Sequence, residues 1–497
     1  VSERLIRLDT KDVEAFAEAG GDRNPQYVDE VFARRTPSGR PILPGTLTVI
    51  AALAAVDGGT LRSAGRLDVR LSGQMLAGMT YRVSVTSKAG GVTTVLARDG
   101  ELTVLVIELS PGVALAGAVQ PEAADLPTIP DAVDLSERGR GEQFTGRYAV
   151  VSPAGLRELA DRLGADEVPD ALLGAVAWCS WFVGMQLPGR DALFSGFRVS
   201  AASTQPNGVA TPQYVATLRA ADTRTGTVRI GVECTGAGDR LDVELRAFQR
   251  AQVPIPDWTS ATRLLPRSDR LAGSTVLVVG GSRGIGAAIV SVLIAQGATV
   301  LATQRSSGSV EALQREFGAD RVRPVLLDAT DADSVRSAFA GLTAEGVQLD
   351  GLVLCAGPAV PLSTIHPDTV DSIRDFVDTS LTSALQPLSS ALGLFKTGGW
   401  LAVMSSGAVE DVPEQRPQYY IAKSAVEALG RYCASQHGLR VLLARAPKMW
   451  TEMSNGPLGR MGTVPTERVA SAIVDWVLNP ADEPVTVLSS AALKSFS

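Results

Sequence analysis

The chain has 497 residues, room for two to four domains at about 100–200 residues each. Hydrophobic residues make up 45% and charged residues 20%, and 46 lysines and arginines against 53 aspartates and glutamates leave a net charge of −7. That balance argues against a nucleic-acid footprint or a polybasic membrane surface. Four cysteines without Cys-x-x-Cys spacing (Cys179, Cys234, Cys355 and Cys433) and only two histidines, His366 and His437, disfavour a disulfide framework or a metal site. The longest apolar stretch, Leu43–Val56, is too short for a membrane span, and VSERLIRLDTKD carries charges where a signal peptide needs an apolar run. These features predict a cytoplasmic, metal-free, multidomain protein.

Early helical segments are followed by the alternating stretches RLDVRLSGQMLAGMTYRVSVTSK and GVTTVLARDGELTVLVIELS. Alternation broken by Gly, Asn and Asp turns predicts antiparallel strands with one solvated face. The order then recurs. FAEAGGD at Phe16–Asp22 is echoed by LADRLGAD at Leu159–Asp166, and PILPGTLTVIAAL at Pro41–Leu53 by VPDALLGAVAWCSW at Val168–Trp181. TGTVRIGVECTG and DRLDVELRAFQ supply later strands. Two copies of one α+β unit are predicted, residues 1–120 and 121–252, joined near Pro111–Pro130. Trp178, Trp181 and Phe182 lie at helical spacing and read as core, and Asp166 reads as a helix-end residue.

Within the first copy, GGDRNPQYVDEVFARR at Gly20–Arg35 places Asp22, Asn24 and Pro25 in an Asp-x-Asn-Pro pattern, and ILPG at Ile42–Gly45 opens the apolar helix. This region resembles MaoC-like hotdog proteins, and the repeat implies a double hotdog. In hydratases of that family a carboxylate and an imidazole move water across the α,β-bond of an acyl thioester. Here Tyr27 stands at the first histidine position and Pro44 at the second, and residues 1–252 hold no histidine. Two readings stay open: a modified dehydratase using Asp22 and Tyr27 with Asn24, or a silent hotdog that binds acyl thioesters or supports assembly. A phenol is a poor base at neutral pH, which favours the second.

Residues 253–273, VPIPDWTSATRLLPRSDRLAG, mix proline with charge and predict a linker. Beyond it, STVLVVGG, GATVLATQ, VRPVLLD, LDGLVLCAG, GWLAVMSS and LRVLLARAP read as strands, separated by helical stretches such as AAIVSVLIAQ, DADSVRSAFAGL and SAVEALGRYCASQ. This rhythm predicts a doubly wound parallel α/β sheet over residues 274–497. VGGSRGIG at Val279–Gly286 follows the first strand and opens a helix. Gly280, Gly284 and Gly286 permit a tight turn that brings backbone amides to a pyrophosphate. The second strand ends in Gln304-Arg305 rather than in the acid that would take the ribose hydroxyls of NAD. Arg305, with Arg283, offers cations to a 2′-phosphate, which predicts NADP(H). Tyr419 and Lys423, four residues apart, share one helix face, and a nearby ammonium eases proton exchange by a phenol. Ser406, closing GWLAVMSS, can hold a carbonyl oxygen while Tyr419 protonates it.

With those residues in that order, residues 274–480 resemble the short-chain dehydrogenase/reductase family, especially its 3-oxoacyl-thioester reductases. The likeness is carried by the glycine turn, Asp328 after the third strand, Cys355-Ala356-Gly357, Ser406, Tyr419, Lys423, and Ala446-Pro447 through Thr451. It implies a Rossmann fold and hydride transfer from a nicotinamide, with Tyr419 as acid, Ser406 as carbonyl orienter and Lys423 on the nicotinamide ribose. Asp328 would contact adenine and Thr451 the carboxamide side, with Gly280, Ser282, Arg283, Gly284, Ile285, Gly286, Ala356, Gly357 and Pro447 completing the cofactor site. Departures from the family pattern are Val279 for the threonine before the turn, Cys355 for an asparagine, Ser380 for the relay asparagine and Lys448 for a glycine. The expected function is NADPH-dependent reduction of a 3-oxoacyl thioester of coenzyme A or acyl carrier protein. The hotdog region would dehydrate the product or only bind it, and the chain would form a homo-oligomer. Two rivals remain: a reductase of an unrelated carbonyl compound with a non-catalytic hotdog scaffold, and an NAD-dependent 3-hydroxyacyl-CoA dehydrogenase, which Arg305 disfavours.

Overall fold

In the computed structural model, which describes residues 2–203, 211–457 and 459–496, the chain divides into two units. One is Val1–Ala251 with His366–Asp368, the other Gln252–Ile365 with Thr369–Ser497.

Period-two burial along the strands builds the first unit. Its strands are β1 (Ser2–Arg7), β2 (Ala64–Leu71), β3 (Thr80–Ser87), β4 (Thr93–Asp99), β5 (Leu102–Pro111), β6 (Gln143–Arg147), β7 (Ala192–Ala202), β8 (Gln213–Asp222), β9 (Thr227–Thr235) and β10 (Arg240–Gln249). They form one antiparallel sheet in the order β1-β3-β4-β5-β2-β7-β10-β9-β8-β6, so each half runs outward from the central β2–β7 pair in the same sequence. The apolar residues of alternate positions face two helices, α1 (Gly45–Leu53) and α2 (Asp170–Trp181), which are buried almost throughout. Trp178 sits at the centre, its ring 5.1 Å from those of Phe182 and Tyr214 and 5.3 Å from Tyr148. On the solvated face Asp68 of β2 takes Arg198 of β7 at 2.8 Å and Arg246 of β10 at 2.9 Å, an ionic clasp across the junction of the halves. The sequence reading missed β7. It follows α2 through the wound turn Phe182–Gln186 and the turn residues Pro188, Gly189 and Asp191, a signal that the sequence does carry.

In the second unit seven strands lie parallel: β11 (Thr275–Val279), β12 (Thr299–Gln304), β13 (Val322–Leu326), β14 (Leu349–Leu354), β15 (Phe395–Ser406), β16 (Arg440–Ala446) and β17 (Val485–Leu488). Their order is β13-β12-β11-β14-β15-β16-β17. Successive residues go to opposite cores. Val276, Val278, Ala402 and Met404 pack with α3 (Gly284–Ala295), whereas Leu277, Val279, Leu401 and Val403 face the side bearing α4 (Val370–Ala391) and α5 (Pro417–His437). That two-sided burial explains the near-continuous apolar strands. The four-residue β17 gave no usable sequence signal. The expected linker is ordered in part. Residues Trp258–Thr262 form a short helix, the Trp258 indole donates to the Glu316 carbonyl at 3.1 Å, and its ring packs 4.9 Å from Phe317. Among the described residues no helix is long and apolar enough to cross a membrane.

Candidate active site

The glycine turn lies between β11 and α3 at the carboxyl end of the sheet. Gly280 has φ +85°, and a Cβ there would sit 2.8 Å from the Ala356 amide nitrogen; one on Gly286 would collide with the Gly280 carbonyl. Only hydrogen fits at these two places, which leaves the backbone at the amino end of α3 open to close approach. Ser282 and Ile285 are partly exposed within the turn. The Gly280 N–H donates to Thr303 Oγ1 at 2.8 Å, tying the turn to β12.

Two carboxylates from elsewhere in the chain meet the glycine turn and the end of β12. In the turn, the Arg283 guanidinium is ion-paired with Glu452, Nη1 to Oε2, at 2.8 Å. The strand end is also not without a carboxylate. Buried Gln304 donates Nε2 to Glu311 Oε1 at 2.8 Å, and Gly308 N–H donates to the other oxygen at 2.7 Å. Glu452 and Glu311 come from other loops and helices, so no reading of the strand itself reveals them. Arg305 is exposed one residue past β12. Asp328 is partly buried and accepts from the Thr330 N–H at 3.0 Å and hydroxyl at 2.7 Å. Pro447 is buried after β16, and Thr451 lies beside the turn, its Cγ2 3.5 Å from where a Gly284 Cβ would be.

Ser406, Tyr419 and Lys423 come from adjoining elements. Ser406 ends β15, and its Oγ accepts from the Ala408 N–H at 3.1 Å, so its own hydrogen is available to another acceptor. Pro417 starts α5, where its missing N–H costs nothing, and places Tyr419 in the first turn. One turn on, Lys423 Nζ lies 5.8 Å from the Tyr419 ring centroid and gives one N–H to the Met404 carbonyl at 2.8 Å. Cys355 and Ala356 are partly buried and Gly357 exposed. Burial pushes the Cys355 thiol up to about 12, against the pull of the Lys423 charge, so it stays protonated. Ser380, expected at the relay position, donates its hydroxyl back to the Phe376 carbonyl of its own helix at 2.8 Å. Its neighbour Ser383 reaches the Ala356 carbonyl at 3.4 Å instead.

The family model described as enoyl-(acyl carrier protein) reductase matches residues 279–482. The D-threitol dehydrogenase of Mycolicibacterium smegmatis is 31% identical over 40% of this chain and 82% of its own length. The chain belongs to the short-chain dehydrogenase/reductase family. It is an oxidoreductase. A 3-oxoacyl-(acyl-carrier-protein) reductase of Vibrio harveyi is 30% identical over 41% of this chain and 89% of its own length. A putative short-chain dehydrogenase/reductase from Burkholderia multivorans, solved with bound NADP, is 26% identical with a TM-score of 0.40, covering 44% of this chain and 97% of that one. The residues matched by the family model begin at the glycine turn and run through Tyr419 and Lys423 to the region after Thr451.

The first unit treats its motif differently. Asp22 and Asn24 have 0% exposure. The Asp22 carboxylate accepts from Ser180 Oγ at 2.6 Å and the Asn24 N–H at 3.1 Å, and a Cβ on Gly184 would lie 2.5 Å from it. Burial pushes this carboxyl up to about 7, against the lowering effect of those two bonds. Asn24 Nδ2 is spent on the carbonyls of Gly184, Gly189 and Arg190, and its oxygen caps the helix Pro25–Val28. Tyr27 is 6% exposed and lines a cavity of about 40 Å³ with Ile42, Thr48, Leu71 and Met75. Burial first, then the Asp22 charge, drives its phenol well above the ordinary range. Asp22 does not line that cavity. The expected Asp22–Tyr27 acid–base pair is therefore not assembled on one open surface. Asp166 is exposed beyond its helix.

Proposed function

We propose that this short-chain dehydrogenase/reductase reduces 3-oxoacyl thioesters with NADPH. The observation that carries the reading is Lys423 one helical turn from Tyr419, bonded to the Met404 carbonyl of the strand that ends in Ser406. Substrate class is supported by the 30% identical 3-oxoacyl-(acyl-carrier-protein) reductase and by the form of the first unit, which we read as a double hotdog over residues 1–120 and 121–252. NADP is the cofactor of one family structure, and an exposed Arg305 past β12 suits a 2′-phosphate. Gly280, Ser282, Gly284, Ile285 and Gly286 would hold the pyrophosphate. Asp328 would meet adenine, and Ala356, Gly357, Pro447 and Thr451 would line the nicotinamide half. When bound, the cofactor supplies hydride to the carbonyl carbon.

The residues of the chain do the rest. Ser406 donates its hydroxyl hydrogen to the carbonyl oxygen and fixes its direction. Tyr419 transfers its phenolic proton to that oxygen as negative charge develops. Lys423 keeps two N–H groups beyond its bond to Met404, one for the ribose and one toward the phenol. The first unit we read as catalytically silent, because Asp22 is sealed at 0% exposure and does not line the cavity at Tyr27. The test is product analysis by mass spectrometry after adding a 3-oxoacyl thioester and NADPH. A gain of two hydrogens supports the reading, loss of water as well would restore the dehydratase, and unchanged ketone would sink it.

A further inference from the structure

Behind the proposed site lies a buried ionic hub. Glu427, 5% exposed, stands one turn past Lys423 on α5. Its Oε1 accepts from Ser405 Oγ at 2.7 Å and Arg445 Nε at 2.9 Å, and its Oε2 from Arg445 Nη2 at 2.9 Å. Burial works against this carboxylate, but the bonds from Arg445 and Ser405 overcome it and hold the group below its usual range. Arg445 Nη1 also reaches Glu410 at 3.5 Å, and Glu410 accepts from the Ser490 N–H at 3.0 Å.

The hub joins the elements that carry the three proposed catalytic side chains. Ser405 precedes Ser406 on β15. Glu427 shares a helix face with Tyr419 and Lys423, at spacings of eight and four residues. Arg445 lies two residues before Pro447 on β16, and Glu410 closes the turn that follows Ser406. Two bonds one helical turn apart, Lys423 to the Met404 carbonyl and Ser405 to Glu427, therefore fix the register of α5 on β15. We infer that Glu427 and Arg445 are a positioning pair that holds α5 against β15 and β16 so that Tyr419 and Lys423 meet Ser406. A stabilising role alone gives no reason for bidentate ionic geometry, since two apolar side chains of like volume serve a buried contact as well or better.

The inference rests on the reductase reading, and the test separates the two. Wild type, Glu427→Met, Arg445→Met and the double variant are compared in the full chain for melting temperature, NADPH binding, and kcat and KM. The substrates are acetoacetyl-CoA and benzil with NADPH, and D-threitol with NADP⁺. Each single variant should be less stable, and the double variant should regain the loss. Its kcat should nevertheless stay about 10-fold or more below wild type, as for a misplacement of the reacting groups by a fraction of an ångström to 1 Å, with NADPH affinity within about 3-fold. A double variant with wild-type kcat, or a kcat that merely tracks melting temperature across the set, would overturn the positioning role. If the double variant does not fold, Glu427→Gln carries the test. It keeps the shape and an acceptor for Ser405, and a folded Glu427→Gln with unchanged kcat counts against the pair. A wild type inactive on the thioester but active on benzil or D-threitol sinks only the substrate reading, and the variant ratios are read on that substrate. Inactivity on all three would overturn both.

Discussion

Tyr419, Lys423 and the glycine turn are partly open at the strand ends of the second unit, whereas Asp22 and Asn24 of the first unit have 0% exposure and spend their polar atoms on neighbouring groups. Both sets are candidates for chemistry on their residue types and spacing. In the second unit the matching side chains keep unspent donors: the Ser406 hydrogen and two N–H groups of Lys423. In the first, Asn24 reads as a strut for the loop at Gly184–Arg190, and Asp22 as a carboxyl packed under Gly184 and bonded by Ser180. A motif reports which residue types are present. Whether they act depends on where their lone pairs and protons are pointed.

The largest expected effect breaks the comparison if it fails. Tyr419→Phe removes the proton and leaves the ring, so reduction should fall by about 10²-fold or more while NADPH binding stays within about 3-fold. Turnover like wild type would place the chemistry elsewhere. Next, Arg305→Ala should weaken NADPH by roughly 10- to 100-fold, the scale of a lost charge-assisted bond, and NADH far less. Isothermal titration of both cofactors checks this, and an equal loss would leave the 2′-phosphate without its proposed partner.

A smaller, pH-dependent effect sharpens the reading of the first unit. Its Asp22 carboxyl titrates at about 7 when folded, above its ordinary value of 3.8. Between those values the folded state holds a proton that the unfolded state has released. Stability therefore falls as pH rises through that window, by at most about 1.4 kcal/mol per pH unit, and levels off above it. Asp22→Asn should flatten this slope and raise the melting temperature of the first unit at pH 8 more than at pH 5. Calorimetry of the full chain measures it, and a parallel shift at both pH values would mean that burial does not raise the titration of this carboxyl. The smallest effect is expected from Tyr27→Phe. A wild type that dehydrates 3-hydroxyacyl thioesters, and loses that activity with the phenol, would reverse the contrast between the two units.

The amino-acid sequence alone determined the features that local periodicity and backbone chemistry encode. Apolar runs separated by amphipathic helices specify strands buried on both faces. Gly280 and Gly286 specify a turn no other residue can enter, and a four-residue interval puts Tyr419 and Lys423 on one face of α5. Tertiary structure alone decided which groups distant in sequence pair with one another. Arg283 is taken by Glu452, 169 residues away, and Asp22 by Ser180, 158 away, while Glu427 finds Arg445 across a helix–strand boundary. The strand β7, which joins the halves of the first sheet, likewise takes its place there from its partners on β2 and β10. The physical reason is common to all of these. Hydrogen-bond and charge satisfaction under burial is a property of the packed neighbourhood, and a linear pattern contains the donors and acceptors without their pairing.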